Sequence, residues 1–213
     1  MILGSHNSMT YLKPNKWWMW FGKFMAKCQR VDYKKQYELG VRFFDFRISF
    51  IECHEYKYPI FSHGMMDYKG VYPDDVLEFI NTKNDVYCRF VFEKGNDTDK
   101  TLFKSYIKKW LTVYPNLKII EVKDKKTWNV LIEPNAILPC PLINSYASCN
   151  GSYPQYSKLK GIFKSKSWSG LLIDDLWPWI YARFNNKKNL KKYKNQDVLL
   201  LMDFIEIGHV EKN

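Results

Sequence analysis

Gly40-Val41-Arg42-Phe43-Phe44-Asp45-Phe46-Arg47 is the stretch on which the fold reading turns. The β-rich run from Val41 to Phe50 reads as a strand. Two similar segments flank it. Gly4-Ser5-His6-Asn7-Ser8 follows a short apolar strand, Met1 to Leu3, and Phe61-Ser62-His63-Gly64 ends another, Tyr58 to Phe61. Two histidines, a carboxylate and an arginine are thereby placed where strands meet loops.

Outward from these segments, strand-like runs alternate with helical ones. A long helical region is expected from about Lys16 to Leu39, and helices at Asp74 to Asn81 and Asp99 to Val113. Strands are expected at Val86 to Phe92, Leu117 to Val122, Val130 to Ile132, Pro141 to Tyr146, Leu171 to Ile173 and Val198 to Ile205. The last third is less regular, with long loops around Cys149 to Ser167. Nothing repeats at a fixed period and no linker divides the chain. The alternation argues for an α/β protein, a single distorted (β/α)8 TIM barrel over residues 1–213. In such a barrel His6, Asp45, Arg47, His63, Glu93 and Asp203 fall at or near the C-terminal ends of strands, where barrel chemistry resides.

The chain has 213 residues, enough for one domain with a real core. A net charge of +11 favours anionic partners: membrane phospholipid, nucleic acid or a phosphorylated metabolite. The lysines do not form one arm, and Lys123 to Lys126 and Lys187 to Lys194 read as solvated loops. Five scattered cysteines, Cys28, Cys53, Cys88, Cys140 and Cys149, lack CxxC spacing and argue against a disulfide framework or a zinc site. No apolar run approaches the roughly 18 residues needed to span a bilayer. With the chain opening directly into its first motif, no signal peptide is expected, and the location read from sequence is cytoplasmic or peripheral to a membrane.

Cleaving a phosphodiester needs a base for the attacking hydroxyl, an acid for the leaving oxygen and a cation for the non-bridging oxygens. Histidines suit the first two roles near neutral pH, and arginine's planar fork matches phosphate. A carboxylate beside one imidazole fixes its tautomer. His6, His63, Arg47 and one of Asp45 or Asp203 supply that set. Any one of these histidines alone reads more readily as a structural residue; the assembly at successive strand ends is what points to chemistry.

These three motifs resemble the catalytic X region of phosphatidylinositol-specific phospholipases C. The resemblance is strongest over residues 1–95 and reaches more loosely to Met202-Asp203-Phe204-Ile205. It implies His6 as general base, His63 as general acid, Asp203 as support for His6, Arg47 on the phosphate, and Asp45 orienting Arg47 or a histidine. Asn7, Glu93, Lys94 and Trp177 are the expected substrate-binding residues. The implied substrate is a phospholipid or inositol phosphodiester, opened through a cyclic phosphate at an anionic membrane surface that the protein, a monomer, visits transiently. Two departures bear on subtype. Asn7 follows His6 where the metal-independent bacterial type carries aspartate, and Glu93 resembles a calcium ligand. If Ca²⁺ binds, its ligands are Asn7, Asp45 and Glu93. Arg47 argues against it, because a guanidinium supplies the metal's charge and repels the ion. No cofactor is therefore expected.

The segment Lys16-Trp17-Trp18-Met19-Trp20-Phe21-Gly22-Lys23-Phe24-Met25 carries the most concentrated aromatics. On a helix, Trp17, Trp20, Phe21, Phe24 and Cys28 share a core stripe, leaving Trp18 and Met19 as a rim open to an interfacial role. Trp168, Trp177, Trp179 and Tyr181 are candidates to line the cleft. Asp174 and Asp175 either touch substrate or cap a loop. His54 and His209 read as surface residues. No nucleic-acid fold signature is present. Two other functions compete: a glycerophosphodiester phosphodiesterase-like enzyme, against which His6-Asn7 and Arg47 speak, and an inactive barrel that binds anionic lipid headgroups.

Overall fold

The computed structural model describes residues 1–146 and 178–208. The chain runs through β1 (Ile2–Ser5), β2 (Lys13–Pro14), a 3-10 helix (Trp17–Gly22), α1 (Lys23–Ala26), α2 (Tyr33–Glu38) and the long strand β3 (Val41–Cys53). Next come β4 (Tyr56–His63), β5 (Met66–Lys69), α3 (Pro73–Asn81), β6 (Tyr87–Phe92) and α4 (Asp97–Val113). The remaining elements are β7 (Lys118–Asp124), β8 (Val130–Ile132), β9 (Leu142–Ser145), α5 (Pro178–Tyr193) and β10 (Leu199–Met202).

Six strands run parallel in the order β9-β10-β1-β3-β6-β7. Side chains alternate between two faces with the period of a strand. Phe44, Phe46 and Ile48 of β3 face outward onto Phe103, Ile107 and Trp110 of α4 and Val76, Leu77 and Ile80 of α3. Phe43, Leu199 and Leu201 face inward and meet Ile120 of β7, with Ala136, Leu138 and Cys140 beneath them. Contact between β7 and β10, with three strands between them in the sheet, means that the sheet curls. The inner apolar layer forms the floor, and the polar residues Asp45, Arg47 and Arg89 sit above it on the same inward face.

The sheet is mixed, which departs from a strictly alternating (β/α)8 pattern. β4 is antiparallel to the distal half of β3, with Ile48 opposite Phe61 and Cys53 opposite Tyr56. Only His54 and Glu55 link the two strands, with His54 at φ 56°, and a parallel return needs a crossover of a dozen or more residues. β5 pairs with β4, β2 with β5, and β8 with β7, all antiparallel. Among the described residues β8 and β9 do not pair, so the sheet forms a curled half-barrel there and the eight-stranded closure is not seen. The strand expected at Leu171 to Ile173 lies outside the described residues.

The long helix expected from Lys16 to Leu39 is broken into three pieces. Thr10 Oγ1 accepts the backbone N–H groups of both Cys28 and Gln29, at 2.9 Å each, which holds them out of a helical ladder. Asp32 then starts α2 afresh by accepting from Lys35 N at 2.8 Å. The expected core stripe fails with the helix. Trp17 and Phe21 are each 76% exposed and Trp20 and Phe24 are also exposed, while Met19 and Cys28 are buried. A 3-10 turn has three residues, not 3.6, and turns different side chains inward. Lys187, Lys188, Lys191 and Lys192 lie on α5 rather than in a loop.

Candidate active site

β1 and β10 are parallel neighbours with Ser5 opposite Met202, so the residues after each strand emerge side by side. His6 N donates to Met202 O at 2.9 Å, and His6 Nδ1 donates to Asp203 Oδ1 at 2.7 Å. Two buried amides hold these strand ends. Gln29 Nε2 donates to the carbonyls of His6 and Met202, at 3.0 and 2.9 Å. Asn186 Nδ2 on α5 donates to those of Asp203 and Phe204. The turns that follow are strained: Asn7 and Phe204 have φ of 45° and 46°, a region costly for a bulky residue such as Phe204.

With Nδ1 carrying its proton to Asp203, His6 Nε2 presents a bare lone pair. Asn7 Nδ2 approaches it at 3.2 Å and Arg47 Nη2 at 3.3 Å, both as donors. The same Asn7 amide lies 3.0 Å from His63 Nε2, so both imidazoles turn Nε2 toward one point. His63 Nδ1 donates to the carbonyl of Ala26 at 2.8 Å. The Tyr146 ring stacks on His6 with centroids 3.6 Å apart and 10° between planes.

Asp45 and Arg47 lie two apart on β3 and share its inward face. Register places Arg89 of β6 opposite Asp45. Arg89 Nε donates to Asp45 Oδ1 at 2.9 Å, while Asp45 Oδ2 takes the Asn7 N–H at 3.2 Å and Arg47 Nη2 at 3.5 Å. Glu93 receives Arg47 Nη1 at 3.4 Å, and also the Gly64 N–H and Lys125 Nζ. The Arg47 guanidinium carbon sits 5.6 Å from the Trp128 ring centroid, and its Nε has no hydrogen-bond partner among the described residues. Beside Glu93 a cavity of about 380 Å³ opens toward Lys100, Asp124, Lys126 and Thr127.

Burial and neighbouring charge set the protonation states. Burial, then the Arg47 charge, pushes His6 well below the usual imidazole range and His63 down to about 4. Burial alone would raise the Asp45 carboxyl, but Arg89 and Arg47 override it and hold Asp45 ionised below the usual range. Glu93 is lowered likewise, with Arg47, His63 and Lys125 outweighing its burial. The resting site is thus two neutral imidazoles beside a fixed guanidinium.

Comparison with known proteins bears on the fold. No protein-family model and no curated protein matches the chain. Solved structures do. The phosphatidylinositol-specific phospholipase C from Listeria monocytogenes matches with a TM-score of 0.60 at 16% identity, over 97% of this chain and 89% of that one. A variant of the phosphatidylinositol-specific phospholipase C from Staphylococcus aureus matches with a TM-score of 0.57 at 16% identity, over 95% of this chain and 84% of that one. The chain has the fold of the bacterial phosphatidylinositol-specific phospholipases C.

Within this phospholipase C fold, His6, Asn7, Asp45, Arg47, Glu93 and Asp203 come together in one buried cluster with the half-buried His63 at its edge. Lys94 does not join it: its ammonium turns to Asp67 at 2.8 Å and to the Met65 carbonyl at 3.0 Å. Glu93 pairs with Arg47 and Lys125 rather than Lys94. Trp177, Trp168, Asp174, Asp175 and His209 lie outside the described residues. Tyr181 is buried, and Trp179 lies 5.2 Å from Arg183 in a cation–π contact. Sequence reading missed Arg89, Lys125, Trp128 and Tyr146. A lone arginine inside the apolar run Val86 to Phe92 was a signal for the first; nothing local marks the others. A hard cation on Asn7, Asp45 and Glu93 would have to displace Arg47, Arg89 and Lys125 from the two carboxylates, so this set does not fit calcium.

Proposed function

We propose that the chain is a phosphoric diester hydrolase of the phospholipase C type, acting on a phospholipid or inositol phosphodiester without a metal ion. The observation that carries this reading is the pair of imidazoles turned Nε2 to Nε2 beside Arg47, with opposite proton arrangements available to them. His6 Nε2, kept bare by the Nδ1–H bond to Asp203, takes the proton of the attacking hydroxyl, the inositol 2-hydroxyl in the leading case. That oxygen bonds to phosphorus while the bond from phosphorus to the glycerol oxygen breaks. His63, protonated at Nε2 on binding of the anionic diester, gives that proton to the departing alkoxide. Arg47 stands against the charge on the non-bridging oxygens, held by Asp45 and Glu93 rather than left to solvent. The products are diacylglycerol and a cyclic inositol phosphate, and a water can then open the cycle with the two histidines exchanging roles.

An exposed apolar ridge supports a lipid substrate. Trp17, Trp18, Trp20, Phe21 and Phe24 stand in solvent on the 3-10 helix and α1, with Lys16 among them. That ridge ends at Ala26, whose carbonyl holds His63. Aromatics and lysines at one surface suit the interface of an anionic bilayer. Among the described residues no helix is long and apolar enough to cross a membrane.

The deciding assay offers phosphatidylinositol and a generic phosphodiester, each with and without chelator. Release of diacylglycerol and a cyclic phosphate, unchanged by chelator, is expected. No turnover of either substrate would sink the enzyme reading, and turnover lost on adding chelator would overturn metal independence.

A further inference from the structure

Cys28 stands behind the His6–Asp203 pair, and the acid–base reading does not use it. Its Sγ, His6 Nδ1 or Nε2 and an Asp203 oxygen lie within 4.8 Å of one another, and all three residues are buried. Among the described residues this is the one group of three histidine, cysteine or carboxylate side chains that converges so closely. The cysteine is fixed from both sides. Its N–H donates to Thr10 Oγ1 at 2.9 Å, and its carbonyl accepts from Phe204 N at 2.6 Å, one residue beyond Asp203. Asn7 Nδ2 approaches its sulfur at 3.5 Å.

We propose that His6, Cys28 and Asp203 form an inhibitory site for a thiophilic divalent cation of the zinc type. One imidazole nitrogen, one sulfur and one carboxylate oxygen are a zinc donor set, and the soft sulfur excludes calcium and magnesium. Zinc bonds of about 2.0 to 2.3 Å set tetrahedral ligand atoms roughly 3.3 to 3.7 Å apart, leaving a fourth position for water. To reach this spacing the 2.7 Å His6–Asp203 contact opens, and the Cys28 sulfur, within 4.8 Å of both partners, draws in toward them.

Proton balance explains the inhibition. The cation takes the His6 Nδ1 lone pair, and the proton held there moves to Nε2. The thiol proton leaves to solvent as the thiolate binds. Nε2 now carries hydrogen and cannot accept from a hydroxyl, so the base is lost without the metal touching substrate. Asn7 responds to the change. Its Oδ1 is buried with no hydrogen-bond partner among the described residues; rotating the amide presents that oxygen to the new N–H and withdraws the Nδ2 donor from His63 Nε2, so the second imidazole is disturbed as well. The inhibitory half rests on the function proposed above; the binding half does not.

Cadmium serves as the spectroscopic probe, since a cadmium–thiolate bond adds a near-ultraviolet charge-transfer band. The purified protein is expected to take up one equivalent with that band, and zinc to displace it. Cys53→Ser, which removes the one exposed cysteine among the described residues, keeps the band, whereas Cys28→Ser loses it. His6→Ala retains the thiol but binds at least tenfold more weakly. Zinc is expected to slow turnover at least tenfold, reversibly by chelator. Absence of the band, its survival in Cys28→Ser, or unchanged affinity in His6→Ala overturns the site. A band without slowing of turnover overturns the inhibitory role. A band in a protein that turns over no phosphodiester retains the site and fails the proposed function.

Discussion

At the scale of single residues, the proposal places the reaction's two proton transfers on His6 and His63. His6→Ala and His63→Ala are each expected to lower kcat by about 10²- to 10⁴-fold, with the protein still folded by circular dichroism. Near-normal turnover in either would remove that histidine from the mechanism. The pH dependence follows from their environment. His6 must be neutral and His63 protonated, yet burial and Arg47 lower both, His63 to about 4. As pH rises through that value the free protein loses the His63 proton, so kcat/KM should peak on the acid side of neutrality and decline toward pH 7. The bound anion favours imidazolium, so the corresponding limb of kcat should lie higher. Asn7→Asp tests the amide's part: a carboxylate placed about where Asn7 Nδ2 now meets His63 Nε2 stabilises imidazolium. That change should move the basic limb of kcat/KM up by about one unit or more. Superimposable profiles would show that Asn7 does not set the His63 proton.

At the scale of elements, α4 is the brace beneath the site. It begins at Asn96, which accepts from Asp99 N while Asp99 returns the bond to Asn96 N, a capping box. Gly95 precedes it at φ 141°, and a Cβ there would meet Asp99 and Phe92 within 2.9 Å. The helix's Trp110 is fully buried, meets the Phe90 ring in a tilted contact at 5.6 Å and donates Nε1–H to Asp74 at 3.2 Å. Trp110→Ala should cost about 3–5 kcal/mol in urea unfolding, because the cavity lies between α4, α3 and the outer face of β6. β1 has a different requirement. A Cβ on Gly4 would lie 2.9 Å from Leu199 Cδ2 and 3.1 Å from Phe43, so Gly4→Ala should destabilise by about 1–3 kcal/mol. The strand that carries His6 into the site is glycine at this point because its neighbours fill the inner layer.

At the scale of the whole molecule, the His6–His63–Arg47 cluster and the aromatic ridge are joined through the Ala26 carbonyl, which accepts from His63. Replacing Trp17 and Phe21 together by alanine should weaken binding to vesicles containing phosphatidylinositol at least tenfold while turnover of a water-soluble phosphodiester is largely retained. Vesicle binding that survives the double replacement would assign the ridge elsewhere. How far this arrangement was legible in the chain differs from part to part. Motifs at the ends of apolar runs marked His6, Asp45, Arg47 and His63, the looser family resemblance marked Asp203, and the structure brings all five together. Period-2 alternation in Val41 to Arg47 also suffices to put Asp45 and Arg47 on one face, because that choice is made within a strand. The direction of β4 was not read, although the short His54-Glu55 link dictates it. The facing of Trp17 to Phe24 departs from the helical expectation because Trp17–Gly22 winds as a 3-10 helix, while Thr10, distant in sequence, captures the N–H groups of Cys28 and Gln29 and separates α1 from α2. Sequence alone determined which residue types stand at which strand ends. Only the tertiary structure decided their partners: Arg89 for Asp45, Lys125 for Glu93, Tyr146 on His6 and Cys28 behind it. Those pairings depend on strand register and on loops meeting across 22 to 140 residues of chain, and no local pattern encodes them.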